Sequence, residues 1–388
     1  MALLNFTALP PLSLYIHMPW CIKKCPYCDF NSHTAADNLP EEAYINALIA
    51  DVEQALPSIW GRRIQSIFIG GGTPSLFSAD AYATLFSRLR SLLSISPHAE
   101  ITLEANPGTV EQQRFADYRA IGINRLSIGI QSFDDNALKA LGRIHDSQQA
   151  IRAVQCAHQA GYDNVNLDLM FGLPGQTAEL AARDISIALD LAPTHLSYYQ
   201  LTIEPNTAYA HQPPKLPADD SSYDWQLANQ ERLATAGYQQ YEISAYSQTD
   251  RQCQHNLNYW QFGDYLGIGA GAHSKITDAS HQSITRSMKQ KQPQAYLTHQ
   301  GTPQQIQTVQ TLTSSELGFE FMLNALRLTN GFASALFLAH TGLPLSTIEK
   351  PLLSAERQGL LNWDIQHIQP TAQGQRYLND VISLFLQE

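Results

Sequence analysis

Cationic side chains are scarce in this chain: 24 Lys and Arg stand against 35 Asp and Glu over 388 residues, a formal net charge of −11. That shortage argues against a nucleic-acid binder, whose phosphate contacts need clustered Lys and Arg, and favours a protein or small-molecule partner. Cysteine is scarce too. Five in a chain of this length make no disulfide framework and point to a reducing compartment, so a cytoplasmic protein is expected. No run of about 18 apolar residues occurs, which excludes a spanning helix and leaves peripheral membrane association open. The apolar opening Met1–Pro10 carries no basic residue and is interrupted by Asn5 and Pro10, so it does not read as a signal peptide.

What is present is concentrated. Three of the five cysteines sit in one loop, Cys21-Ile-Lys-Lys-Cys25-Pro-Tyr-Cys28, directly after the apolar stretch Ser13-Leu-Tyr-Ile-His-Met18. Three thiolates can hold three corners of a four-iron cube and leave the fourth iron without a protein ligand. An open metal position is what lets a centre bind a substrate or cofactor. Structural zinc is the competing reading, with His33 completing a Cys₃His set. Cys156, in a helical pattern, reads as a small core residue.

Short β-branched or aromatic runs recur at 14–17, 66–69, 100–104, 125–130, 164–170 and 195–202. Between them lie amphipathic stretches of helix length at 41–60, 79–93 and 177–191. Six β-then-α units predict an α/β fold with a parallel sheet curled into a partial (β/α)6 barrel, with its chemistry at the C-terminal ends of the strands. The 44% hydrophobic content suits one large core and a second small one. The expected division is a barrel over 1–240, a barrel extension and linker over 241–310, and a C-terminal domain over 311–388. The Gln-rich stretch 282–310 reads as linker. Helices at 316–328, 333–340 and 346–358, short strands near Leu361 and His367 and a last helix at 372–386 resemble a winged helix. From Ser315 onward that domain carries four basic residues against seven acidic ones, so a lid or docking role is expected rather than DNA reading.

The cysteine loop together with Gly70-Gly-Gly-Thr-Pro74 resembles the radical S-adenosylmethionine superfamily. Within it, Leu14-Tyr-Ile-His-Met-Pro-Trp-Cys21, Arg125-Leu-Ser-Ile-Gly-Ile-Gln-Ser-Phe133 and Asn166-Leu-Asp-Leu-Met-Phe-Gly-Leu-Pro174 are similar to the oxygen-independent coproporphyrinogen III oxidase group. The resemblance implies a [4Fe-4S] cluster on Cys21, Cys25 and Cys28, with S-adenosylmethionine chelated to the open iron, where an electron could split it to methionine and an adenosyl radical; whether the cleavage takes place is left open. It places cofactor contacts at Tyr15, Tyr27, Gly71, Gly72, Thr73, Glu104, Gln131, Arg143, Asp168 and Thr202.

That group has a decarboxylase branch, HemN, and a haem-chaperone branch, HemW. The decarboxylase carries a further cysteine two residues after the third ligand, where this chain has Phe30, and a long segment before its first strand, which already includes Tyr15 here. Both features, with His255-Asn-x-x-Tyr-Trp260, match the haem-chaperone branch. The implied function is haem binding and delivery to haem-acceptor proteins, with a homodimer left open. Coproporphyrinogen III decarboxylation is the alternative, and a third reading, an RNA-modifying radical enzyme, is disfavoured by the acidic C-terminal domain. Haem iron takes an axial ligand, usually His. There are 13 histidines and no Cys-x-x-Cys-His motif. His255 stands first as ligand because it lies in the branch signature, then His273, with Cys253 as a further candidate.

Overall fold

In a computed structural model, residues 4–35, 38–108 and 111–386 are described. Three residues of the apolar opening segment fall outside them. The barrel strands are β1 (Leu12–Met18), β2 (Arg63–Gly71), β3 (Ser94–Ala105), β4 (Arg125–Gln131), β5 (Val165–Phe171) and β6 (His195–Gln200). Each pairs in parallel with the next. Burial is complete in β4 and broken only at Tyr15 in β1 and Asp168 in β5, as a parallel sheet covered on both faces requires, while β2 and β3 are exposed where they begin and β6 where it ends. Helices α1 (Glu41–Ile59), α2 (Ala79–Leu92), α3 (Glu111–Ala120), α4 (Ser147–Gln159), α5 (Ala178–Asp190) and α6 (Asp219–Thr235) lie among these strands in the chain. Local chemistry sets their starts: Ser78 and Thr177 cap α2 and α5, and Asp146 with Gln149 forms a capping box on α4.

The sheet does not stop at six strands. Beyond β6 come β7 (Gln239–Glu242) and β8 (Ala245–Ser247), with β8 antiparallel to β6. On the other side β9 (Asp264–Ile268) pairs in parallel with β1, followed by β10 (His273–Asp278), β11 (Ser283–Lys289) and β12 (Ile306–Thr311). The twelve strands run β12-β11-β10-β9-β1-β2-β3-β4-β5-β6-β8-β7. The Gln-rich stretch expected as linker instead holds β11, a short helix over Pro293–Thr298 and most of β12; β12 is an exposed edge strand, and β11 is half-buried with Ile284 and Lys289 enclosed, so neither shows the alternation of a strand with one buried face.

The short helix α7 (Gln254–Trp260) carries the His-Asn-x-x-Tyr-Trp signature and contacts β1, β2 and β9. The C-terminal region has α8 (Ser314–Ala325), α9 (Ala335–Thr341) and α10 (Glu349–Arg357), plus a three-stranded sheet of Phe332–Ala333, His367–Pro370 and Leu361–Trp363. Ala333, expected to open a helix, lies in that sheet, and the last expected helix divides at Tyr377. A second core built around Phe321, Phe332 and Phe337 takes in Phe6 and Phe262 from outside the region, so it is packed onto the barrel. Among the described residues no helix is long and apolar enough to cross a membrane.

Candidate functional site

The strands deliver their polar ends to one rim. A cavity of about 470 Å³ is lined by Cys21, Cys25 and Cys28, by Tyr27, by Gly71, Gly72 and Thr73 after β2, and by Glu104, Gln131, Arg143, Asp168 and Thr202. Of the cofactor contacts expected from the sequence, Tyr15 alone does not line it. Its hydroxyl donates to His17 Nδ1 (2.9 Å) and its ring stacks on Phe68, behind the rim.

The cysteine loop is held from below. His33 N–H donates to Pro19 O and Ala35 N–H to Cys21 O, pairing the loop's entrance with its exit. The glycine run lies against the same entrance: Gly72 N–H donates to Met18 O and Thr73 N–H to Trp20 O. A Cβ on Gly72 would meet Trp20 O at 2.5 Å, and one on Gly71, at φ +114°, would meet the His17 ring at 2.5 Å. Only glycine permits that approach.

The three thiols are free and half-buried. Burial pushes those of Cys21 and Cys28 up, so loading a metal centre must release their protons. Among the described residues no three His, Cys, Asp or Glu side chains converge on one metal-ion position, as the zinc reading with His33 would need. Three free thiols in one loop are the donor chemistry of an iron–sulfur cube that leaves one iron open.

Around the loop the polar groups are tied together. Arg143 donates to Asn106 Oδ1 (2.6 Å) and Gly129 O (2.7 Å) and lies 3.8 Å from Cys25 Sγ, while Asn106 donates to Thr73 Oγ1 (2.9 Å). Arg143 Nε is buried without a protein partner, as expected of a donor awaiting a ligand. Glu104 accepts from Gly71 N–H (3.0 Å), and burial, then the nearby Asp168, pushes its carboxyl up to about 7. Burial also raises Asp168, against hydrogen bonds from Asn166 (2.8 Å) and Ser127 (3.3 Å). Gln131 holds a left-handed backbone at φ +70° beside a register shift between β4 and β5, and its side chain accepts from Tyr199 (3.0 Å). Such strain persists where the surroundings impose it. Asn106 and Tyr199 were not singled out from the sequence; the signals available were Asn106 two residues beyond the strand-end Glu104 and Tyr199 near the end of β6.

The haem-ligand candidates lie elsewhere. His255 is 1% exposed, bonded through Nδ1 to Ser66 (3.0 Å), boxed by Phe68 and Tyr259 at ring separations of 5.1 and 5.0 Å, and its Nε2 has no partner. Burial lowers its pKa to about 3. Cys253 is fully buried, 3.5 Å from Glu100 Oε1, with its thiol pushed up to about 12 by burial. His273, at the start of β10, is exposed. Of the three, His273 alone is reachable from solvent in this structure.

Comparison with known proteins agrees with this architecture. The radical SAM superfamily model matches residues 15–184 and the HemN C-terminal domain model residues 312–377. Heme chaperone HemW of Escherichia coli (strain K12) is 47% identical over 380 residues, covering 98% of this chain and 99% of that protein. Its namesake in Haemophilus influenzae is 47% identical over 384 residues with the same coverage, and that of Bacillus subtilis 31% over 385, covering 97% and 99%. The solved structure of coproporphyrinogen III oxidase, HemN, from Escherichia coli superposes with a TM-score of 0.82 at 24% identity over 98% of this chain and 91% of that one, which shows a shared fold.

Proposed function

The chain belongs to the HemW family of radical SAM proteins, and from that premise we propose that it binds haem and passes it to acceptor proteins. A [4Fe-4S] cluster on Cys21, Cys25 and Cys28 supports that role, with S-adenosylmethionine beside it. The observation that carries the reading is the single cavity into which three free thiols and the polar ends of the barrel strands all open. When bound there, the cluster and S-adenosylmethionine supply one-electron chemistry.

The chain's own groups bind and orient. Arg143, held by Asn106 and Gly129 O beside Cys25, offers a fixed guanidinium to a carboxylate. Glu104 and Asp168 present acceptors to an ammonium or to ribose hydroxyls, and the raised carboxyl of Glu104 leaves it able to donate near neutrality. Thr73, Gln131 and Thr202 add neutral polar groups, and Gly71 and Gly72 give close backbone approach. Phe30, 59% exposed, stands where the decarboxylase branch has its further cysteine.

Anaerobic reconstitution followed by haem titration tests the reading. The expected result is a saturable Soret band and transfer of that haem to an apo-haemoprotein, with no conversion of coproporphyrinogen III. Absence of a haem complex, together with coproporphyrinogen turnover that disappears in Cys28→Ala, would replace it with the decarboxylase reading.

A further inference from the structure

A second cavity, about 370 Å³, adjoins the first across a shared wall of Lys23, Cys25, Thr73, Asn106 and Arg143. Its remaining surface is largely apolar: Ile22 from the cysteine loop, Leu76, Phe115 at the floor, and Ile144 next to Arg143. Ile22 is 57% and Ile144 53% exposed. Two large aliphatic side chains half in water at the mouth of one groove are an unpartnered apolar surface of the kind that marks a ligand site.

Cations stand over the same groove. Lys23 and Arg114 both line it, and neither is paired with a carboxylate among the described residues; Arg114 donates to Ser75 O (2.9 Å). In a chain with a net charge of −11, two unpaired cations beside an apolar slot select a particular chemistry: a flat apolar body with anionic ends.

We propose that this groove is the seat of the tetrapyrrole, with Ile22, Leu76, Phe115 and Ile144 packing the ring and Lys23 and Arg114 receiving its two carboxylates. This rests on the haem-binding function proposed above and adds the place. No His or Met lines the groove, and the Tyr118 hydroxyl there is already spent on Phe77 O and Ser75 O. The groove thus grips the ring and its carboxylates and supplies no iron ligand, which leaves the iron free for a ligand of the acceptor protein. The enclosed His255 and Cys253 take no part.

The test is a titration of reconstituted wild-type protein and of the double variant Arg114→Glu/Ile144→Glu with haem and with metal-free protoporphyrin, alongside iron and sulfide analysis. Cluster content should be equal in both, and haem affinity should fall about tenfold or more in the variant, as expected for losing charge-assisted contacts. Wild-type protein should bind metal-free protoporphyrin comparably to haem and its dimethyl ester more weakly. If the double variant loses its fold, Lys23→Gln/Arg114→Gln keeps the shape and should show the same loss in smaller degree. Wild-type affinity in the charge variants overturns the groove while leaving the haem function standing, as does loss of binding in His273→Ala, which would move the site to that histidine. Wild-type protein that binds no haem overturns the function and the groove together.

Discussion

Two polar layers occupy the inside of the barrel, and they use similar residue types to opposite ends. Toward the N-terminal ends of the strands, Ser13, Ser66, Glu100, Arg125, Asn166 and His195 are buried and bonded to one another or to Tyr241, Cys253 and His255. At the C-terminal rim, Glu104, Arg143 and Asp168 face a cavity beside three half-buried thiols. The lower layer is an enclosed network that fixes α7 against the strands, with His255 Nε2 and Arg125 Nε left without hydrogen-bond partners. The upper layer keeps its groups facing open space. Access, more than residue type, separates the layer enclosed in the fold from the layer open to a cavity.

The largest expected effect falls on the rim. Reconstituted wild-type protein should carry about four iron and four sulfide per chain, and Cys25→Ala should lose the brown chromophore while His33→Ala keeps it; a colourless wild-type protein with stoichiometric zinc contradicts this. In the closed layer the loss should be of stability. Arg125→Ala removes the charge facing the buried Glu100 and should cost about 3–5 kcal/mol in chemical denaturation. A cost under about 1 kcal/mol would show that the layer is not the tight network described.

The rim should also report through pH. The Glu104 carboxyl is raised by burial from 4.5 to about 7, so the folded apo-protein holds a proton that the unfolded chain releases. Its contribution is fully present below about pH 4.5 and is lost as pH rises through 7. Glu104→Gln should flatten that part of the stability profile, whereas an unchanged profile would place the raised carboxyl elsewhere. The smallest effect is expected where the C-terminal region meets the barrel: Arg327 lies 4.2 Å over the Trp260 ring and 3.0 Å from Glu242, and Arg327→Ala should cost about 1 kcal/mol, read by thermal unfolding.

The barrel was legible because each parallel strand is an apolar run whose end bears a polar residue: Glu104, Gln131 and the cysteine loop all sit at or just beyond strand ends. β11 and β12 were not, since β12 is exposed along nearly its whole length and the buried Ile284 and Lys289 of β11 do not fall on an alternating period. The enclosure of His255 was equally hidden. It depends on Phe68 and Ser66 of β2 closing over a seven-residue helix nearly 190 positions later, a contact with no local pattern. Asn106 escaped notice because its role, joining Thr73 to Arg143, exists only once three loops meet.

Ligand chemistry is expected at the rim, where the thiols and carboxylates line a cavity, and not in the enclosed layer beneath it. The most direct measurement is the electron paramagnetic resonance spectrum of the reduced, reconstituted protein before and after adding S-adenosylmethionine. The signal should change on addition in the wild type and in Cys253→Ser, and Cys25→Ala should give no cluster signal to change. A wild-type protein holding its full iron and sulfide whose spectrum is indifferent to S-adenosylmethionine, or a response that vanishes with Cys253→Ser, would contradict it.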